Sequence, residues 1–109
     1  MPESTTNLAA TRVFRPFADV PGVHYATLRK HDNGGLTILL KFDPGAAYHT
    51  HKHPGGEEYY VLEGFLDDLG KSWPAGSYIY HPPGSTHKPR SKAGCVVLVV
   101  LPQGVEMLK

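Results

Sequence analysis

Apolar and polar residues alternate with a period of two along most of this chain, in short runs cut by turn-forming residues. Runs rich in Val, Ile, Tyr and Phe cover residues 11–17, 23–30, 35–43, 48–53, 57–63, 65–67, 71–73, 77–80 and 94–101. Gly, Pro, Asn and Asp separate them, as in Asp32-Asn33-Gly34-Gly35, Pro54-Gly55-Gly56 and Pro82-Pro83-Gly84. Alternation bounded by such residues predicts β-strands and tight turns. Twelve glycines and ten prolines are scattered through the sequence. They leave no helical apolar period longer than two turns. The pattern predicts an all-β domain, a sandwich or barrel of jelly-roll type. Residues 1–10 are small and polar and read as a flexible N-terminal tail; residues 11–109 read as a single domain.

Composition adds mainly exclusions. The apolar content of 40%, the charged content of 19% and the formal net charge of +1 are ordinary for a globular chain. They supply no general attraction for nucleic acid or an anionic membrane, so neither is expected as a partner. The densest basic stretch, residues 87–92, reads first as a solvated loop and second as an attraction for an anionic ligand. One cysteine, Cys95, rules out an internal disulfide framework. The first residues show neither a basic nor an apolar leader segment, and the longest apolar run, residues 96–101, is far too short to span a bilayer. A cytoplasmic location is therefore expected.

The chemistry concentrates in residues 49–58, His-Thr-His-Lys-His-Pro-Gly-Gly-Glu-Glu. Residues two apart on a strand share a face, so His49, His51 and His53 would project together. The turn at Pro54-Gly55-Gly56 can fold the chain back and bring Glu57 or Glu58 beside them. Neutral imidazoles plus a carboxylate, with no thiol, suit Fe(II), Mn(II), Ni(II), Cu(II) or Zn(II). Later in the chain, residues 76–87 read as a strand, a rigid Pro-Pro-Gly turn and a further histidine, His87.

Together these two stretches resemble the cupin superfamily. Its first motif is a Gly, five residues, His-x-His, three or four residues, Glu, six residues and Gly; here the positions are Gly45, His51, His53, Glu57 and Gly64. Its second motif falls on Gly76, Pro82, Gly84 and His87, with Ser91 where the family carries an Asn that is not a ligand. Within the cupins, His51-Lys52-His53-Pro54-Gly55-Gly56-Glu57-Glu58, Val61-Leu62-Glu63-Gly64, Asp67-Asp68-x-Gly70 and Pro82-Pro83-Gly84-Ser85-x-His87 are similar to the ChrR-type domain, part of a zinc-binding anti-sigma factor. The resemblance covers roughly residues 20–101. It implies a single-domain cupin jelly-roll β-barrel (a double-stranded β-helix) with one metal ion held by His51, His53, Glu57 and His87. The helical zinc domain of that anti-sigma factor has no counterpart in this sequence, so its anti-sigma function is not expected to carry over.

Parity assigns the neighbours. Glu58 faces opposite to Glu57 and should be exterior, while Tyr59 and Val61 should line the interior. Tyr59 and His49 are the polar side chains best placed to assist a ligand or substrate. His81 reads as structural or as lining the pocket mouth, and His24 and His31 as exposed. Cys95 reads as a small core residue, and Trp73, Tyr78 and Tyr80 as core or dimer interface. Phe14 and Phe17 are candidates for an edge strand docked or exchanged in a homodimer. No Ser-His-Asp arrangement, phosphate loop or nucleotide fingerprint offers a rival chemistry. The expected function is a mononuclear metalloenzyme, an oxygenase or dioxygenase or a lyase, acting on a small ketone, enol or carboxylate. It would carry one divalent ion per chain, Fe, Mn, Zn or Ni. The alternative is a non-catalytic zinc-binding sensor or regulatory module.

Overall fold

The computed structural model describes residues 3–17, 19–48, 51–102 and 106–107, with the backbone alone at residues 51–52 and 106–107. Twelve strands follow in chain order: β1 (Arg15–Pro16), β2 (Val23–Lys30), β3 (Leu36–Phe42), β4 (Ala46–Ala47), β5 (His51–Lys52), β6 (Glu57–Asp68), β7 (Lys71–Pro74), β8 (Tyr78–His81), β9 (Thr86–His87), β10 (Arg90–Ser91), β11 (Cys95–Leu101) and β12 (Glu106–Met107). A 3-10 turn at Ala9–Thr11 precedes them. Among the described residues, no helix is long and apolar enough to cross a membrane.

The main sheet runs β1-β2-β3-β11-β6-β10-β4, with β7 and β8 also pairing with β6; β12-β5-β9 form a second, small sheet. Every pairing is antiparallel. The main sheet curls into a half-barrel around one core built from Val23, Ile38, Leu40, Tyr59, Val61, Leu66, Val97 and Val99. The core follows from the alternation. In β11, Cys95, Val97, Val99 and Leu101 are buried, while Val96, Leu98 and Val100 are partly covered.

The hub is β6, and one irregularity in it positions the site. Its register with β11 slips between Val96 and Val97, which face Glu63 and Val61, so Leu62 has no opposing residue. Gly64 follows with φ +73°. Before the slip the odd residues Glu57, Tyr59 and Val61 point inward; after it the even residues Leu66 and Asp68 do. A β-bulge has this effect because the extra residue shifts the two-residue period by one.

Several expectations change. The strands predicted at 57–63 and 65–67 are one strand, because the bulge at Leu62 shifts the pairing without ending it and Gly64 stays paired with Cys95. Of the strand predicted at 48–53, only residues 51–52 (β5) are strand among the described residues, and the short β4 just before it, at 46–47, belongs to the other sheet. Residues 11–17 contribute only Arg15–Pro16, where Pro16 leaves room for an edge pairing alone. The basic stretch 87–92 is not a solvated loop. His87, Pro89 and Ser91 are buried and Lys88, Arg90 and Lys92 exposed, so the charges cover an alternating, half-buried segment. Ser91, at the position of the family's Asn, donates its hydroxyl to the Phe65 carbonyl at 2.6 Å. Tyr78 and Tyr80 lie on the outer face, more than half exposed, and Trp73 is partly buried. His24 and His31 are partly buried, bonded to Asp43 and Thr37. Phe17 packs on the core through Tyr25 and Tyr48 of its own chain.

Candidate metal centre

His53, Glu57 and His87 arrive from three separate elements. His53 ends the β5 segment, and its backbone ties two turns together. Its N–H donates to the Ser85 carbonyl, and its own carbonyl accepts from Gly56 and Gly84. Gly56 has φ +81°, and a Cβ there would stand 2.8 Å from the His81 carbonyl oxygen. The turn beside the site therefore requires glycine. Glu57 opens β6 opposite His81 of β8. His87 lies on β9, where its Cα partner across the ladder is His51.

Glu57 is the carboxylate that turns inward, 2% exposed, while Glu58 faces outward and accepts from the Tyr78 hydroxyl. The Glu57 carboxylate spans two imidazoles. His53 Nε2 lies 3.0 Å from Oε2, and His87 Nε2 lies 3.0 Å from Oε1. One donor atom from each of the three residues falls within 4.8 Å of the others. Two imidazole nitrogens and a carboxylate oxygen, converging in a buried space, are the donor chemistry of a first-row divalent ion. The residues present therefore fit a metal.

His51 is placed by its backbone alone, beside His87. His49 lies outside the described residues. Tyr59 points inward, and its hydroxyl oxygen is 3.3 Å from His87 Nε2.

A second carboxylate holds the other side of His87. Its Nδ1 donates to Asp68 Oδ2 at 2.8 Å, and His81 Nε2 donates to the same oxygen at 3.1 Å. The rings of His81 and His87 stack with centroids 3.9 Å apart. His81 is thus a buried, bonded residue and not part of a pocket mouth. Asp68 stood in the sequence only as a motif residue. Counting by two from Glu57 points it outward, and only the bulge in β6 turns it in. The Asp-Asp-x-Gly turn signal at residues 67–70 was the one available cue.

The ionisation states follow from these contacts. Burial raises the Glu57 carboxyl, but hydrogen bonds from His53 and His87 outweigh it and hold the group below the usual carboxylate range. Asp68 is lowered further by His81 and His87, again against burial. Burial lowers the His87 imidazole, but bonds to Asp68 and Glu57 win and raise it to about 9. Burial holds the Tyr59 hydroxyl well above its ordinary value, reinforced by the Glu57 charge, so it stays a donor.

A raised imidazole stabilises the fold fully below its unfolded value and progressively less as pH climbs through its folded value. The metal-free protein, melted in chelator, should therefore lose thermal stability between about pH 6.5 and 9. A His87→Gln variant should show a flatter profile over that window.

A cavity of about 90 Å³ opens beside Glu57, lined by Leu36, Ile38, Leu40, Tyr48 and Tyr59 among others. No lysine or arginine is among its described lining residues.

Compared with known families, residues 4–104 match the model of the ChrR cupin-like domain. The chain belongs to this cupin family. A search of curated proteins finds no match. Among solved structures, this cupin is similar to a putative acetylacetone dioxygenase from Methylibium petroleiphilum, with TM-score 0.85, 18% identity, and coverage of 100% of this chain and 86% of that one. It is also similar to the polyketide cyclase RemF from Streptomyces resistomycificus, at TM-score 0.82 and 18% identity, covering 98% and 87%. A third likeness is to the Rhodobacter sphaeroides complex of SigE with the anti-sigma ChrR, at TM-score 0.72 and 24% identity, covering 86% of this chain and 51% of that one. At these identities the likenesses establish the cupin fold. The activities of those proteins remain their own.

Proposed function

We propose that this cupin holds one divalent metal ion at His51, His53, Glu57 and His87 and acts as an oxygenase, or a related lyase, on a small oxygenated molecule. The observation that carries this reading is the buried convergence of His53, Glu57 and His87, with Glu57 at the wall of an apolar cavity. A structural barrel has no need to desolvate two imidazoles and a carboxylate against one another. When bound, an ion of Fe, Mn, Zn or Ni supplies a Lewis acid or, for the redox-active metals, a site for dioxygen chemistry. The chain's residues do the rest. Glu57 and the histidines fix the ion's position, and the Tyr59 hydroxyl, kept protonated by burial, donates to a substrate oxygen. His49 is the other polar helper in this reading. The aliphatic wall of Leu36, Ile38 and Leu40 excludes water from the reacting end.

The cavity narrows the substrate class. Its volume is well below the ~150 Å³ that accommodates benzene. Apart from the ion itself, no cation is among its described lining residues to hold a carboxylate, and the rest of the wall is mostly aliphatic and aromatic. Of ketones, enols and carboxylates, a short neutral ketone or enol suits it best. The name of the acetylacetone dioxygenase neighbour points the same way. The test is oxygen uptake by iron- or manganese-loaded protein. Turnover of short neutral diketones, with none of short dicarboxylates, is expected. Turnover of dicarboxylates alone would overturn the substrate class, and no oxygen uptake with any ketone would overturn the oxygenase reading.

A second reading is a zinc-bound regulatory module. The observation in its favour is family membership together with the likeness to ChrR in complex with a sigma factor. Tight zinc with no oxygen chemistry would favour it. In both readings the protein is a cytoplasmic homodimer, and the exposed Tyr60, Tyr78 and Tyr80 on the outer face of β6 and β8 are the surface such a dimer would cover.

A further inference from the structure

Asp68 is bonded to one of the proposed ligands, His87, and is 6% exposed at the end of β6. Three donors surround its carboxylate. The Leu69 backbone N–H donates to Oδ1 at 3.0 Å, and His87 Nδ1 and His81 Nε2 both donate to Oδ2. Its own carbonyl oxygen accepts from Trp73 Nε1 at 2.9 Å. The main chain that carries the side chain is thereby pinned as well.

We propose that Asp68 is the positioning residue of the centre. By holding the Nδ1–H of His87 it reserves Nε2 for the metal, and through the same oxygen it clamps His81 against the His87 ring. The proposal rests on the metal reading above. An imidazole can present either nitrogen, and the hydrogen bond on one decides which is left for a ligand. Here Nδ1 faces Asp68 while Nε2 faces Glu57, so the bond to Asp68 sets the useful orientation. The stacked His81 covers one face of the ring, and a flip of the His87 ring would break its bonds to both Asp68 and Glu57.

The three-donor environment also explains why the residue is a carboxylate. An asparagine has one acceptor and one donor group. Placed at 68, its NH₂ would meet either the Leu69 N–H or the two histidine N–H groups. In the second case it would donate to Nδ1 and drive His87 to the tautomer with its proton on Nε2.

The test is zinc titration by calorimetry of wild type and Asp68→Asn, with metal-free melting curves to show that both fold. The expected result is a 10- to 100-fold weaker zinc affinity in Asp68→Asn, the range seen when such outer partners of a ligating histidine are removed. Ser72→Ala, which affects only the neighbouring Asp67 in the same turn, should leave affinity unchanged. Ring ¹⁵N shifts of zinc-loaded wild type need no variant. They should show His87 metal-bound at Nε2 and protonated at Nδ1, which decides the matter even if Asp68→Asn fails to fold. Unchanged affinity in a folded Asp68→Asn, or zinc on Nδ1, would overturn the proposal while leaving the metal reading intact. Two zinc equivalents in wild type and one in Asp68→Asn would replace it with a second site, since Asp68, His81 and His87 also have donor atoms within 4.8 Å of one another. No zinc bound by wild type would remove both readings.

Discussion

Replacing His87 with alanine should lower divalent-metal affinity by more than about a hundredfold while leaving the barrel folded. Loss of an outer partner alone typically costs 10- to 100-fold, and His87 is itself one of the converging donors. The fold should survive because neither buried carboxylate is stranded. Glu57 keeps His53 at 3.0 Å and Asp68 keeps His81 at 3.1 Å. The metal-free variant should be less stable by about 1–3 kcal/mol, the usual cost of losing hydrogen bonds to buried charged groups. Titration of the folded variant beside wild type checks the affinity, and chemical denaturation in chelator checks the stability. Retained affinity would mean that the ion, if any, sits elsewhere.

The second large effect is structural. Gly64→Ala should destabilise the protein by about 3–5 kcal/mol, or roughly 10–20 °C in Tm. Two costs combine. At φ +73° an alanine lies in the left-handed region, which costs about 1–2 kcal/mol. In addition, its Cβ would overlap the Gly94 carbonyl oxygen, a backbone atom that cannot swing aside. Gly70→Ala separates the two. Gly70 has φ +76° but open space around its Cβ position, so only the conformational cost should appear. If the two variants melt alike, the close approach at Gly64 is not what makes glycine necessary there. Because β6 runs on from Gly64 to Asp68, a folded Gly64→Ala should also bind metal more weakly.

The sequence made the architecture legible wherever alternation was regular. Residues 23–30 are strand as expected, and 94–101 differs from the observed Cys95–Leu101 by one residue. Two-residue strands such as Thr86–His87 and Arg90–Ser91 escape any periodicity argument, since a period needs several repeats to show. The ligand candidates were legible because spacing and residue type agree in two motifs. The structure brings His53, Glu57 and His87 together, while the side chain of His51 lies outside what it describes. Asp68 was not legible for a definite reason. Parity holds only within an unbroken ladder, and the slip opposite Val96 and Val97 reverses it between Val61 and Leu66. The structural reading of His81 holds, but its partner, Asp68, is the residue that the bulge conceals.

The proposed function requires that this barrel hold a metal ion. Elemental analysis of wild-type protein purified without added metal, beside His87→Ala, tests it most directly. The expected result is about one equivalent of a first-row divalent ion per wild-type chain and its loss in the variant. No metal in wild type even after reconstitution, or equal metal in both proteins, would contradict it.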